Sequence, residues 1–175
     1  MNSNPIITER LVLRPLEMSD APSLFKLDSD PLVMKYLGNQ PLTDISQVYT
    51  YLENIINQYT QNGIGRWAVI EKSTNELIGW SGIKFIDEES NGFKDFHDLG
   101  YRLRPEFWGK GYATESSQAW IEAAESSFNI NKLYASAHVE NTASQNVLRK
   151  VGFEIKGTYD FLLNGVLIPC FWMER

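Results

Sequence analysis

Leu99-Gly100-Tyr101-Arg102-Leu103-Arg104-Pro105-Glu106-Phe107-Trp108-Gly109-Lys110-Gly111-Tyr112-Ala113-Thr114 is the stretch on which the reading of the fold turns. A strand from about Phe96 to Leu103 leads through a short connection into a helix that starts near Ala113 or Thr114. The first N–H groups of a helix have no acceptor within it, and its dipole is positive at that end. Glycines just ahead of such a start let the backbone approach a ligand and take conformations that other residues avoid. Gly109 and Gly111, with the mobile charge of Lys110 between them, therefore predict a cradle for an anion such as a pyrophosphate. A tight turn with no ligand would use the same two glycines. Two other phosphate motifs are excluded. Gly109-Lys110 lacks the following Ser or Thr and the spacing of a P-loop, and a dinucleotide fingerprint needs a third glycine that is missing here.

Working outward, the helix after the cradle carries Ala113, Ser117, Trp120, Ala124 and Phe128 on one stripe and Glu115, Gln118, Glu122 and Glu125 opposite. Glu115 reads as a solvated first-turn acid favoured by the dipole rather than as a base. Upstream, Trp67 to Ile70 and Leu77 to Phe85 flank a polar turn and predict a hairpin, and a polar loop from Asp87 to Lys94 precedes the cradle strand. Nearer the N-terminus, Leu11, Leu13 and Leu16 mark a short strand ended by Pro15. Ser19-Asp20 offers a cap for a helix carrying Leu24, Phe25 and Leu27. Thr43 or Asp44 caps a longer helix with Val48, Tyr51, Leu52, Ile55, Ile56 and Tyr59, closed by Asn62-Gly63. Downstream, Leu133 to Ala137 is a strand, Thr142 to Val151 a helix, and Phe153 to Phe161 and Val166 to Met173 a hairpin about Asn164-Gly165. The expected architecture is a single α/β domain over residues 1–175, with a mixed central sheet of about six to seven strands and helices on both faces.

Composition narrows the function. A chain of 175 residues without repeats or low-complexity linkers suits one domain. Its 16 basic against 22 acidic residues give a net charge of −6, which argues against direct nucleic-acid binding. Cys170 is the lone cysteine, so no intrachain disulfide is expected. With no signal-like N-terminus and no apolar run near about 20 residues, the expectation is a cytoplasmic protein with no membrane partner. His97 and His138 lie too far apart in sequence to suggest a metal, and none is expected.

A second polar entry stands at Asn141-Thr142-Ala143-Ser144. Asn141 suits a helix N-cap and Gly152 the left-handed residue after that helix. Ser144 falls among Ala143, Val147 and Val151 on the expected buried side, where its hydroxyl needs a partner. The carbonyl four residues earlier or a ligand would serve.

Taken together, Thr8 to Leu16 with Asp20 behind, Leu99-Gly100-Tyr101, Phe107 to Glu115, Asn141-x-x-Ser144 and Lys150-Val151-Gly152-Phe153 resemble the GNAT superfamily of acetyl-CoA-dependent N-acetyltransferases. More narrowly, the chain is similar, over almost its whole length, to the branch of ribosomal-protein alanine/serine N-terminal acetyltransferases. The superfamily signature is Gln/Arg-x-x-Gly-x-Gly/Ala; Gly111 and Ala113 fill its last two places, and Trp108 stands in the first. The resemblance implies acetyl-CoA as cosubstrate, no metal, and a pyrophosphate site at Trp108, Gly109, Lys110, Gly111, Tyr112, Ala113 and Thr114, bound through main-chain amides. It implies that the backbone of Tyr101 and Leu103, in a strand splayed from its neighbour, pairs with the pantetheine arm, and that Asn141 bonds that arm too. Many members place a tyrosine seven residues after this asparagine; here Leu148 stands there, and the branch suggests Ser144 as acid for the leaving thiolate.

An amine attacks a thioester only when neutral. An α-amino group has a pKa of about 7.7–8.0 and a lysine about 10.4, so an α-amine needs only a weak base or a water chain. Asp98 is the catalytic acid/base candidate, sharing a strand face with Arg102 and so either paired with it or open to the cofactor cleft. His97 and His138 read as structural. The leading reading is acetyl transfer by direct attack in a ternary complex, with the N-terminal α-amine of a protein or peptide as acceptor. The alternatives are a small-molecule amine (amino acid, polyamine or antibiotic) or a non-catalytic CoA-binding module. The two early helices and the final hairpin are expected to wall the acceptor pocket, with Glu17, Asp20 and the loop Asp87 to Lys94 available to draw a cationic amine. A monomer or homodimer is expected.

Overall fold

Eight segments pair edge to edge in the computed structural model, which describes residues 4–175. They are β1 (Ile6–Ile7), β2 (Leu11–Pro15), β3 (Arg66–Glu71), β4 (Glu76–Ile86), β5 (Phe96–Leu103), β6 (Tyr134–His138), β7 (Glu154–Leu163) and β8 (Val166–Glu174). Their order across the sheet is β1-β2-β3-β4-β5-β6-β8-β7, with every neighbouring pair antiparallel except β5 and β6. The helices are α1 (Ala21–Asp28), α2 (Pro31–Met34), α3 (Ser46–Asn62), α4 (Tyr112–Ser127) and α5 (Thr142–Lys150). The strand beyond the expected number is β1, whose two residues are too few to show a period. The short helix α2 is also unforeseen; Pro31 opens it and Asp30 caps it, accepting the Leu32 N–H at 2.8 Å.

Alternation along the strands sends the two faces of the sheet to different cores. Trp67, Val69, Ile83 and Leu99 pack with Trp120, Ala124 and Leu148 under α4 and α5. Ala68 and Ile70 pack with Leu24, Leu27, Val48 and Leu52 under α1 and α3. Helices on both faces agree with the sequence, as do the two hairpins. One cap differs. Asp20 does precede α1, but its carboxylate takes Arg14 at 2.7 and 2.8 Å and the Glu17 N–H at 3.0 Å, because a buried carboxylate gains most from a forked guanidinium. The longer helix starts at Ser46, whose N–H bonds Asp44 at 2.7 Å, and ends at the left-handed Gly63.

The candidate functional region lies where β5 and β6 part. These parallel neighbours meet at the single register pair Asp98↔Tyr134 and diverge beyond it. The gap opens at their C-terminal ends, the side on which sheets with parallel strands receive ligands.

Candidate active site

β5 runs into a single turn (Pro105–Phe107) and reaches α4 through Trp108 to Gly111. Gly109 (φ 73°) and Gly111 (φ 85°) are both left-handed, a conformation that costs an L side chain about 1–2 kcal/mol. A Cβ at Gly109 would meet nothing within 4 Å, so the turn faces open space. The Glu115 N–H is the first to reach an intrahelical acceptor, Gly111 O at 3.0 Å, and the N–H groups before it are the orphan donors of a helix start. Main-chain donors, a helix dipole and open space fit a diphosphate.

Two side chains strap this loop. The half-exposed indole of Trp108 donates its Nε1–H to Leu103 O at 2.7 Å, tying the loop to the strand end and leaving that carbonyl one lone pair. Arg10, which the sequence reading did not single out, donates to Lys110 O at 2.9 Å and lies 4.5 Å over the Tyr112 ring. Its Nε and main-chain N–H also bond the Glu115 carboxylate at 2.7 and 2.8 Å, and Thr8 adds a third donor at 2.6 Å. Glu115 is therefore an anchor between the N-terminal segment and α4, not the solvated acid expected. Burial alone would raise its carboxyl, but Thr8 and Arg10 hold it below the usual carboxylate range. The Lys110 ammonium sits over the Phe107 ring at 5.1 Å.

Asn141 caps α5 as expected, its Oδ1 accepting the Ser144 N–H at 3.1 Å, and Gly152 is left-handed at φ 92°. The buried side of α5 is rotated from the expected stripe: Gln145, Leu148 and Val151 are buried, while Ala143 is exposed. Ser144 is half-buried and neither back-bonds nor lies bare. Its Oγ lies 3.0 Å from the Tyr101 hydroxyl, which also donates to the Ser144 carbonyl at 3.0 Å. Tyr101, Leu103, Trp108, Gly109, Gly111, Tyr112, Ala113, Thr114, Asn141 and Ser144 all line one cleft of about 1430 Å³, and Lys110 alone of the expected cradle residues does not.

Asp98 lines the same cleft but pairs with Arg66, not with Arg102. Arg66 reaches across the one intervening strand, β4, to meet it, and the path is open because Gly100 has no side chain: a Cβ there would stand 2.8 Å from Arg66 Nη2. The same guanidinium donates to Asp98 O at 2.7 Å and to Gly82 O. Arg102 instead takes Asp28 at 2.7 Å, and Asp28 accepts the Tyr51 hydroxyl at 2.7 Å. Trp80 lies between the two cations, 5.3 Å from Arg66 and 5.2 Å from Arg102. Burial pushes the Asp98 carboxyl up, with Arg66 pulling against it.

The acceptor end is walled by α2 (Leu32, Val33), α3 (Asn54, Gln58), the loop Asp87 to Asn91 and Tyr159 to Leu162 of the last hairpin. Of the expected early helices, α1 is not part of this wall; its Asp28 is engaged by Arg102 beneath it. Asp20 is committed to Arg14 rather than turned to an amine. His138 packs at a tilt on Tyr36, ring centres 5.0 Å apart, and accepts the Glu140 N–H, and His97 packs on Phe85 at 5.2 Å with its pKa lowered by burial. Among the described residues, no group of three His, Cys, Asp or Glu side chains fits a metal ion, and no helix is long and apolar enough to cross a membrane.

Residues 10–154 match the family described as the acetyltransferase (GNAT) domain. This chain is a GNAT acetyltransferase. The acetyltransferase is 38% identical over 152 residues to the uncharacterized N-acetyltransferase p20 of Bacillus licheniformis, covering 87% of this chain and 83% of that one. Its fold is shared with a ribosomal L7/L12 α-N-protein acetyltransferase solved in complex with coenzyme A (TM-score 0.79, 23% identity, 98% and 97% of the chains). It is shared too with a spermidine N-acetyltransferase from Vibrio cholerae solved with CoA and spermine (TM-score 0.74, 23% identity, 96% of each). The protein is thus an N-acetyltransferase acting on amines, with acetyl-CoA as cosubstrate.

Proposed function

We propose that the acetyltransferase acetylates the N-terminal α-amine of a protein or peptide, with acetyl-CoA lying in the gap between β5 and β6. The observation that carries this choice is the commitment of Asp98 to Arg66. Neutralising a lysine-like amine at pH 7 costs roughly 4–5 kcal/mol, an α-amine only about 1. A carboxylate whose lone pairs are engaged by a guanidinium is ill placed to strip a proton from a strongly basic ammonium, even with burial raising its pKa, so it supports an acceptor that needs little help. Leu32 and Leu162 also lie exposed at the mouth of the cleft, where a peptide can rest.

When bound, acetyl-CoA supplies an activated acyl thioester. The amides of Gly109 to Thr114 hold its diphosphate. The main chain of Tyr101 and Leu103 and the Asn141 amide hold its arm. Ser144 supplies a proton to the departing sulfur, and the Asp98–Arg66 pair orients the incoming amine. The exposed acids Asp87, Glu88 and Glu89 at the rim favour a second reading, a small cationic amine.

Thiol release from acetyl-CoA decides between them. Peptides starting with Ser or Ala should turn over at pH 7 at least about tenfold faster than an N-terminally blocked lysine peptide or spermidine. A faster rate with spermidine overturns the α-amine reading.

A further inference from the structure

The hydroxyl contact between β5 and the first turn of α5 has a geometry that suits proton movement. The single proton of Tyr101 has two acceptors at the same distance, Ser144 O and Ser144 Oγ, each 3.0 Å away. A carbonyl inside a helix already accepts the N–H four residues on, so the tyrosine can leave it without orphaning it. The proton can therefore shift to Oγ with no heavy atom moving. An aliphatic hydroxyl is about as weak an acid as water, whereas a free phenol has a pKa of about 10 and a thiol about 8.5. Serine alone is a poor final source for the proton that a thiolate takes; a phenol behind it, even one raised by burial, is a stronger acid than the serine hydroxyl. The next turn of α5 places the buried Leu148 there, which has no proton to give.

We propose that Tyr101 is a positioning residue that supplies, through Ser144, the proton taken by the leaving sulfur. This rests on the reading of Ser144 as proton donor. As the C–S bond breaks, its electron pair stays on sulfur, the Ser144 Oγ–H moves to sulfur, and the Tyr101 proton moves to Oγ. The acetylated nitrogen loses one proton to solvent, and solvent returns one to the tyrosinate, so none is gained or lost overall. Burial holds the Tyr101 hydroxyl above its ordinary range, with the Ser144 contact pulling the other way, which keeps the supply protonated at neutral pH.

Tyr101→Phe removes the hydroxyl and keeps the ring, so Tm should hold within about 4 °C. Turnover should fall about tenfold or more with KM for acetyl-CoA changed less than about twofold, and the solvent deuterium effect on kcat should shrink. Calorimetry with CoA and desulfo-CoA reads the same contact without turnover: the wild-type preference for the sulfur should weaken in Tyr101→Phe. Ser144→Ala should match it, and the double variant should be no worse than either. If Tyr101→Phe keeps wild-type turnover, isotope effect and sulfur preference while Ser144→Ala is impaired, the relay is wrong and the role of Ser144 stands. If Ser144→Ala turns over like wild type, the Ser144 reading itself falls and the relay with it.

Discussion

At the proposed donor end of the cleft the site would be made of main chain, the amides of one continuous run from Trp108 to Thr114 together with the strand edge at Tyr101 and Leu103. At the acceptor end it is made of side chains drawn from β3, β5, α2, α3 and the last hairpin. Main-chain recognition needs special backbone conformations, and those leave glycines and caps in adjacent positions of the sequence. Side-chain recognition leaves no such mark, because Arg66 and Asp98 are 32 residues apart and meet only across a sheet.

This contrast can be broken by substitution. Asp98→Asn strands a mostly buried guanidinium, and the protein should lose about 3 kcal/mol of stability in denaturant unfolding with CoA affinity little changed. An equal loss at both ends would erase the division. Gly111→Val does the reverse: its φ of 85° and a Cβ placed 3.3 Å from Arg10 should raise the Kd for CoA about 30-fold, about 2 kcal/mol, with the circular dichroism unchanged. Unaltered affinity removes the cradle from the binding site.

Two smaller effects sharpen the comparison, since they test side chains that serve the main-chain end. Glu115→Gln should lower stability by about 1 kcal/mol at pH 7. The Glu115 carboxyl titrates lower in the folded chain than the about 4.3 of an unfolded one, so its stabilisation is complete above that pH and fades as pH falls through the folded value. The gap between variant and wild type should thus close below about pH 4 in acid unfolding curves. Trp108→Phe loses one hydrogen bond to Leu103 O and should weaken CoA about two- to fivefold by calorimetry.

The legible parts of the molecule share the same character. The hairpins about residues 72–76 and Asn164-Gly165, the closing Gly63 and the Asn141 cap were readable because each depends on residues within a few positions of one another. The two-residue β1 and four-residue α2 are too short for any period to accumulate. Thr8-Glu9-Arg10 belongs to the resemblance, yet its physical purpose appears only when Glu115, 105 residues from Arg10, folds back onto it. Strand parity puts Asp98 and Arg102 on one face, as found, but leaves open whether they pair, because parity says which residues are near and not which partner across the sheet is nearer.

Local grammar was enough to dictate the strand, the glycine turn and the capped helices, since backbone torsion and periodic burial are properties of neighbouring residues. The partnering of charges, the hydroxyl pair Tyr101–Ser144 and the walls of the acceptor cleft were decided by the fold. Those contacts depend on which distant side chains a sheet brings within about 3 Å, and hydrogen bonds weaken too steeply with distance and angle for chain order to specify them.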